Sequence, residues 1–262
     1  MSRSCSSIFL AISAVLSFSL PAWAGPVGAG GQLRSAASVG KLSPQVRAAA
    51  DALRGPWGGV LEQTKVYGRT YGEWSNHWVA WAESAPVGLN AIEDTTGAFC
   101  ALNQPSGNVW FLAGTLGGPA QRQCTIPRGK ALFYPLVEVG WIDCPNTPDS
   151  SVPEADIRGL LSSIFDLSTE TSSTINGVSV LSLLVPIVRT QGPTFTSVLP
   201  ANSIQSPICP GGLPAGRTGR RMNEGFWVMV PPLPPGQHTL TLRGAITPLG
   251  FENSVTYYLT VR

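Results

Sequence analysis

The chain has little charge. Asp, Glu, Lys and Arg make up 12% of its 262 residues, and 17 basic against 15 acidic side chains leave a net charge of +2. So balanced a chain has no electrostatic case for nucleic acid, and little for an anionic membrane. Histidine is almost missing: His77 and His238 are the pair. A three-histidine zinc or copper site is thereby excluded, a His–His–carboxylate site is the metal alternative left, and neither a metal nor a cofactor is expected. No two cysteines have the two-to-four residue spacing of structural zinc. There is no G-x-S-x-G elbow. Gly129-Lys130-Ala131 lacks the upstream glycine and the Ser/Thr of a phosphate loop. Ser38-Val39-Gly40-Lys41 matches S-x-x-K by chance, within a glycine- and serine-rich stretch. Past the N-terminus no apolar run is long enough to span a bilayer; Val178 to Val188 is too short and contains Pro186.

The first residues read as a secretory signal. Arg3 supplies a positive start, Ile8 to Leu20 an apolar run, and Ala22-Trp23-Ala24 a small–x–small cleavage pattern. Residues 1–24 are expected to be removed, giving a periplasmic or extracellular product that begins at Gly25. Residues 25–42 read as a flexible lead-in and 43–262 as a single domain. Cys5 leaves with the signal. Cys100, Cys124, Cys144 and Cys209 remain, and an even number in an exported chain argues for two disulfides. Three pairings are open. Cys100–Cys124 with Cys144–Cys209 is favoured, because the first pair flanks an expected hairpin and the second joins two Pro/Gly-rich loops.

What the chain has in plenty is glycine (29) and proline (23). That suits short strands and tight turns. Three helices are expected, near 44–54, 71–84 and 153–165. The second opens with the capping box Thr70-x-x-Glu73. It puts Trp74, His77, Trp78 and Trp81 at i, i+3, i+4 and i+7, on one face within roughly 100°, with Asn76, Ala80 and Glu83 opposite. Stacking of sugar rings and docking on a sheet are the two uses of such a stripe. Docking is preferred, because each indole removes roughly 150–250 Å² from water when buried, and several left wet on one helix would be an aggregation-prone patch.

Strand periodicity begins near residue 97. Ala98–Leu102, Val109–Gly114, Gln123–Ile126 and Ala131–Val139 are short and turn-bounded. Asn176-Gly177 marks a two-residue hairpin turn, and Thr194–Leu199 is a further candidate strand. Phe226–Val230 is apolar throughout, as a central strand covered on both faces would be. His238–Arg243 and Val255–Val261 alternate. The fold class is mainly β: a β-sandwich or jelly-roll with short helices packed on it.

The strings DTTGAFC (94–100), VWFLAG (109–114), PRGKALFYP (127–135) and PLPPGQHTL (232–240) follow the tryptophan-rich helix. Together they resemble a group of uncharacterised exported bacterial proteins, over about Tyr71 to Val261. The resemblance implies export and carries no activity. The last strands also look like the end of bacterial immunoglobulin-like modules, and fold does not give function.

The chemistry available is sparse. The leading reading is a non-enzymatic binding protein for cell-envelope or environmental polysaccharide, with Trp110 and Trp141 near strand ends as binding aromatics, and Arg220 and Arg221, beside Arg217, as contacts to an acidic glycan. The alternative is a polysaccharide hydrolase or lyase. It would use Glu138 with Asp143 or Asp94 as acid and base, His238 assisting, if two carboxylates face each other about 5–10 Å apart across a cleft. Glu138 shares strand parity with Leu132, Tyr134 and Leu136; on a buried face its pKa should rise. Asp94 reads more simply as an Asx turn, and His238, in parity with Leu240, as an inward core residue. A third reading is a structural or assembly factor recognised through a sheet edge.

Overall fold

The computed structural model describes Ile8–Leu10 and residues 64–262. The helix expected at 44–54, the lead-in and most of the signal-like segment lie outside the described residues. The fold is mainly β, as the patterning predicts: two five-stranded sheets face each other, with a helix on the outside of one and a second helix closing an end.

The first sheet contains β1 (Ile8–Leu10), β2 (Val109–Phe111), β4 (Ala131–Ile142), β7 (Ile187–Gln191) and β10 (Arg221–Val230). Its order is β1-β4-β10-β7, and β2 runs parallel to the start of β4. The second sheet contains β3 (Gly118–Ile126), β5 (Glu170–Ile175), β6 (Val178–Ser179), β11 (Gly236–Ile246) and β12 (Phe251–Val261), in the order β3-β12-β11-β5-β6. A two-stranded ribbon pairs β8 (Val198–Leu199) with β9 (Gly216–Arg217). Helix α1 spans Tyr71–Ala82 and α2 spans Glu154–Phe165.

Between the sheets lies the main core, with Leu132, Tyr134, Val228 and Val230 from the first sheet and Leu240, Leu242, Val255, Tyr257 and Leu259 from the second. Both faces of β10 are covered, which explains its unbroken apolar run. Asn176 and Gly177 take positive φ, 50° and 79°, as a two-residue hairpin turn requires. Both disulfides form in the favoured pairing, Cys100–Cys124 and Cys144–Cys209.

Three local expectations need correction. Ala98–Leu102 is a run of turns, anchored by the Asp94 carboxylate, not a strand. Thr194–Leu199 contributes only Val198–Leu199. Cys100 and Cys124 do not flank a hairpin: β2 pairs with β4 in one sheet and β3 with β12 in the other, both parallel, so the chain crosses between layers there.

One irregularity positions Glu138. Pro135 lies inside β4, where it has no N–H to give the ladder, and the register slips at Leu136. Phe226 faces Val137 and Trp227 faces Pro135, so one extra residue is accommodated. Such a bulge inverts the parity of everything beyond it. Before it, Phe133 points to α1 and Leu132 to the other sheet. After it, Val137, Val139 and Trp141 pack with α2, Ile246 and Phe251. Glu138 is thereby turned onto the α1 side, away from Leu132 and Tyr134.

Candidate functional site

The tryptophan stripe docks the helix. Thr70 and Glu73 complete the capping box. Trp74, Trp78 and Trp81 pack on Phe111, Phe133 and Trp227, with Phe133 and Trp227 stacked at 5.1 Å. Their indole N–H groups donate to the carbonyls of Val66, Leu112 and Leu102. Asn76 and Glu83, expected on the wet side, are buried, whereas His77 at the edge of the stripe is exposed. The wet face is narrower than the periodicity suggests, because the 191–196 segment flanks the helix at Gly72 and Asn76, and Gln205 and Arg221 cover Glu83 at its end.

The candidate residues named from sequence do not converge. Trp110 and Trp141 are 7% and 1% exposed, so neither offers a ring to a ligand. Asp143 accepts the Trp141 indole N–H at 2.8 Å and is ion-paired to Arg220 at 3.1 Å. It lies five residues beyond Glu138, about 16 Å along the strand and of opposite parity. The Asp94 carboxylate accepts N–H groups of Thr96, Gly97 and Phe99. Burial opposes its charge, but these bonds outweigh that and hold its pKa below the usual range. His238 bonds Pro234 O and Asn176, and is only partly buried. It stands six residues along β11 from Gly244, which abuts Leu136, and so about 20 Å from the bulge. Arg220 also donates to the carbonyls of Asp149 and Val152. Arg221 is buried against Glu83, and Arg217 alone of the three arginines is exposed.

Two concave features stand out among the described residues. The first is a cavity of about 50 Å³ between α1, β4 and the end of the second sheet, lined by Glu83, Glu138, Thr115, Gln205 and Asn253 among others. It has room for a few waters and none for a sugar. Glu83 is the C-cap of α1, an unfavourable place for a carboxylate against the helix dipole. Arg221 compensates by donating to both its oxygens, and Gln205 donates to one at 2.7 Å. Glu138 has no hydrogen-bond or ion-pair partner among the described residues. Desolvation first, and the Glu83 charge second, push its pKa up to about 8; Arg221 pulls the other way.

The second is an open groove along the outer face of α1. One lobe, of about 390 Å³, is lined by Thr70, Glu73, Arg158 and the 190–193 corner. The other, of about 230 Å³, is lined by Glu73, Asn76, His77, Ala80, Phe195 and Thr196. Glu73 belongs to both. The walls are fixed by close backbone approach: a Cβ on Gly72 would sit 2.8 Å from Gln191 O, and one on Gly192 would sit 2.1 Å from Asn76 Oδ1. Asn76 further donates to Pro193 O. Phe195 is held by a two-way backbone bridge to Arg221. Its ring is half-buried, leaving the rest in the groove. His77 Nε2 accepts from Arg69 Nε at 2.9 Å. Partial burial and then the Arg69 charge lower the His77 pKa, and with Nε2 accepting from Arg69 the donor of the neutral ring is Nδ1. The groove thus presents a carboxylate acceptor, an imidazole donor and a half-buried aromatic ring.

No protein-family model matches this chain, and a search of curated proteins finds no match. Glu83 and His77 are legible in the sequence only as wet-face and stripe residues, and Phe195 not at all. Glu73 was legible as a cap. Phe195 carried no signal, because its place is set by a bridge to a residue 26 positions away.

Proposed function

We propose that this chain is an exported, non-enzymatic β-sandwich protein that binds neutral polysaccharide in the groove beside α1. The reading rests on the grouping of Phe195, His77 and Glu73 along that groove. An aromatic surface flanked by a hydrogen-bond acceptor and a donor is what a sugar ring, with one apolar face and equatorial hydroxyls, requires. The binding aromatic is then Phe195, in place of Trp110 and Trp141. The sequence motives for export stand beside this: the signal-like segment and two disulfides, the usual state of cysteine outside the cytoplasm. Among the described residues no helix is long and apolar enough to cross a membrane.

The test is a broad panel of neutral and acidic glycans read by calorimetry. Wild type should bind a neutral oligosaccharide, and Phe195→Ala and His77→Ala should each weaken binding at least about tenfold, the value of one lost stacking or hydrogen-bond contact of about 1.4 kcal/mol. Unchanged affinity in both variants refutes the site. For export, N-terminal sequencing of the secreted product should start at Gly25.

One observation favours a second reading, an assembly factor recognised through a sheet edge. Ile8–Leu10 pairs with Val139–Trp141 of β4. Cleavage after Ala24 would remove that strand and leave this part of the β4 edge open to a partner strand.

A further inference from the structure

Glu138 is a half-buried carboxyl group with no hydrogen-bond or ion-pair partner among the described residues, set where α1 meets the sheet. Three facts fix its surroundings. On β4 and β10, Glu138, Gly140 and Ile142 stand opposite Gly225, Asn223 and Arg221, so Glu138 and Arg221 share the face that α1 covers. Gly140 lies between them, and Glu138 Oε1 is 3.4 Å from the point a Cβ there would occupy. The Glu138 side chain therefore leans along the strand in the direction of Arg221. Arg221 spends both terminal nitrogens on Glu83 and Ser197, while its buried Nε has no partner.

We propose that Glu83, Arg221 and Glu138 form a proton-controlled latch at the C-terminal end of α1: closed while Glu138 is protonated, released when it ionises. The charges decide the direction. With Glu138 neutral, one guanidinium faces one carboxylate, and the pair ties the α1 terminus to β10. With Glu138 ionised, two carboxylates share one guanidinium, and the unpartnered Nε gives Glu138 a way to compete for it. Among the described residues no other charged side chain lines the cavity to resolve the competition. Gln205, Thr115 and Asn253 are neutral, and the last two already bond each other. Glu83 must then stay at the negative end of a helix with its cation shared, and the last turn of α1 loosens.

The sign follows from linkage. A carboxyl whose folded pKa lies above its ordinary value takes up a proton on folding, so the closed state is strongest below about pH 4.5 and weakens progressively up to about pH 8, where the effect saturates. The latch therefore opens toward alkaline pH.

The experiment is amide hydrogen exchange on the full disulfide-bonded chain, from pH 5 to pH 9, corrected for intrinsic exchange. Protection at residues 82–85 should fall with rising pH, by at most about tenfold per unit between pH 5 and pH 8. Protection at the centre of β11 and β12 should hold. In Glu138→Gln, which keeps the neutral form, the slope at 82–85 should vanish. Three results would overturn the proposal: a flat wild-type profile at 82–85, an equal fall at β11 and β12, or a slope that survives in Glu138→Gln. Should that variant fail to fold, carboxyl carbon NMR on wild type decides the matter. A Glu138 midpoint between pH 7 and 9 that tracks the exchange profile supports the latch, and an ordinary carboxylate midpoint removes it.

Discussion

Arg221 donates to both carboxylate oxygens of Glu83 across 138 residues of chain, with both side chains buried. This contact joins the end of α1 to the first residue of β10. Removing one partner leaves an uncompensated buried charge. Glu83→Ala or Arg221→Ala should each cost about 3–5 kcal/mol in denaturant unfolding. Glu83→Leu combined with Arg221→Met should cost much less than the two single losses added together. An additive double variant would show that the two side chains do not act as a pair.

Arg122 is fully buried with no carboxylate partner among the described residues. Its guanidinium donates to the carbonyls of Ile92, Asp94, Ala113 and Gly114 and to the Tyr257 hydroxyl. It thereby holds the crossing segment between the sheets to the Asp94 turn. Lysine offers three donors without the planar fork. Arg122→Lys should destabilise by about 2–4 kcal/mol, since at least two buried acceptors lose their donor. Equilibrium unfolding with the disulfides intact measures this, and a loss under about 1 kcal/mol would contradict it.

The two disulfides differ in the loop they close, 24 residues for Cys100–Cys124 and 65 for Cys144–Cys209. Loop entropy makes the second worth more by about 0.9 kcal/mol. Paired Cys→Ser variants should each lose about 2–5 kcal/mol, with the 144/209 variant the less stable. Thiol titration of the exported product should find no free cysteine.

Trp78 stands for the docking role of the stripe. Its ring is 4% exposed and lies 5.4 Å from Trp227. Trp78→Ala should cost about 3–5 kcal/mol, and Phe195→Ala far less. Glycan affinity should rank them the other way, as long as Trp78→Ala remains folded. Acrylamide should quench the emission of the six described indoles weakly.

Acid should act at His77. Protonation of Nε2 removes the acceptor for Arg69 and sets two positive groups side by side. Because the His77 pKa is lowered, this contribution is present above the ordinary histidine range and lost as pH falls through the folded pKa, below about 6.5. Imidazole nitrogen NMR should show a midpoint under 6.5. A midpoint above it would mean that Arg69 does not donate there.

Much of the fold was legible because its signals are local. Thr70 and Glu73 announce a helix start, Asn176-Gly177 a hairpin, and the unbroken run at Phe226–Val230 a strand covered twice. The candidate site was not legible in the same way. Glu138 was singled out by parity with Leu132 and Tyr134, yet Pro135 forces a bulge that turns it to the opposite face. Periodicity puts Glu83 on the wet side of α1, yet Gln205 and Arg221, more than a hundred residues later, cover it. Asp143 and Arg220, each conspicuous alone, neutralise each other.

Side-chain period, turn chemistry and cysteine parity are short-range properties, so the sequence alone determined a turn-rich β fold with two disulfides and an indole-bearing helix pressed on a sheet. Which carboxylate is paired, which is left without a partner, and which ring faces the groove are outcomes of strand register and of contacts between residues far apart in the chain. Only the tertiary structure decides those, because one extra residue in β4 inverts the faces, and a charge is fixed by what is brought beside it.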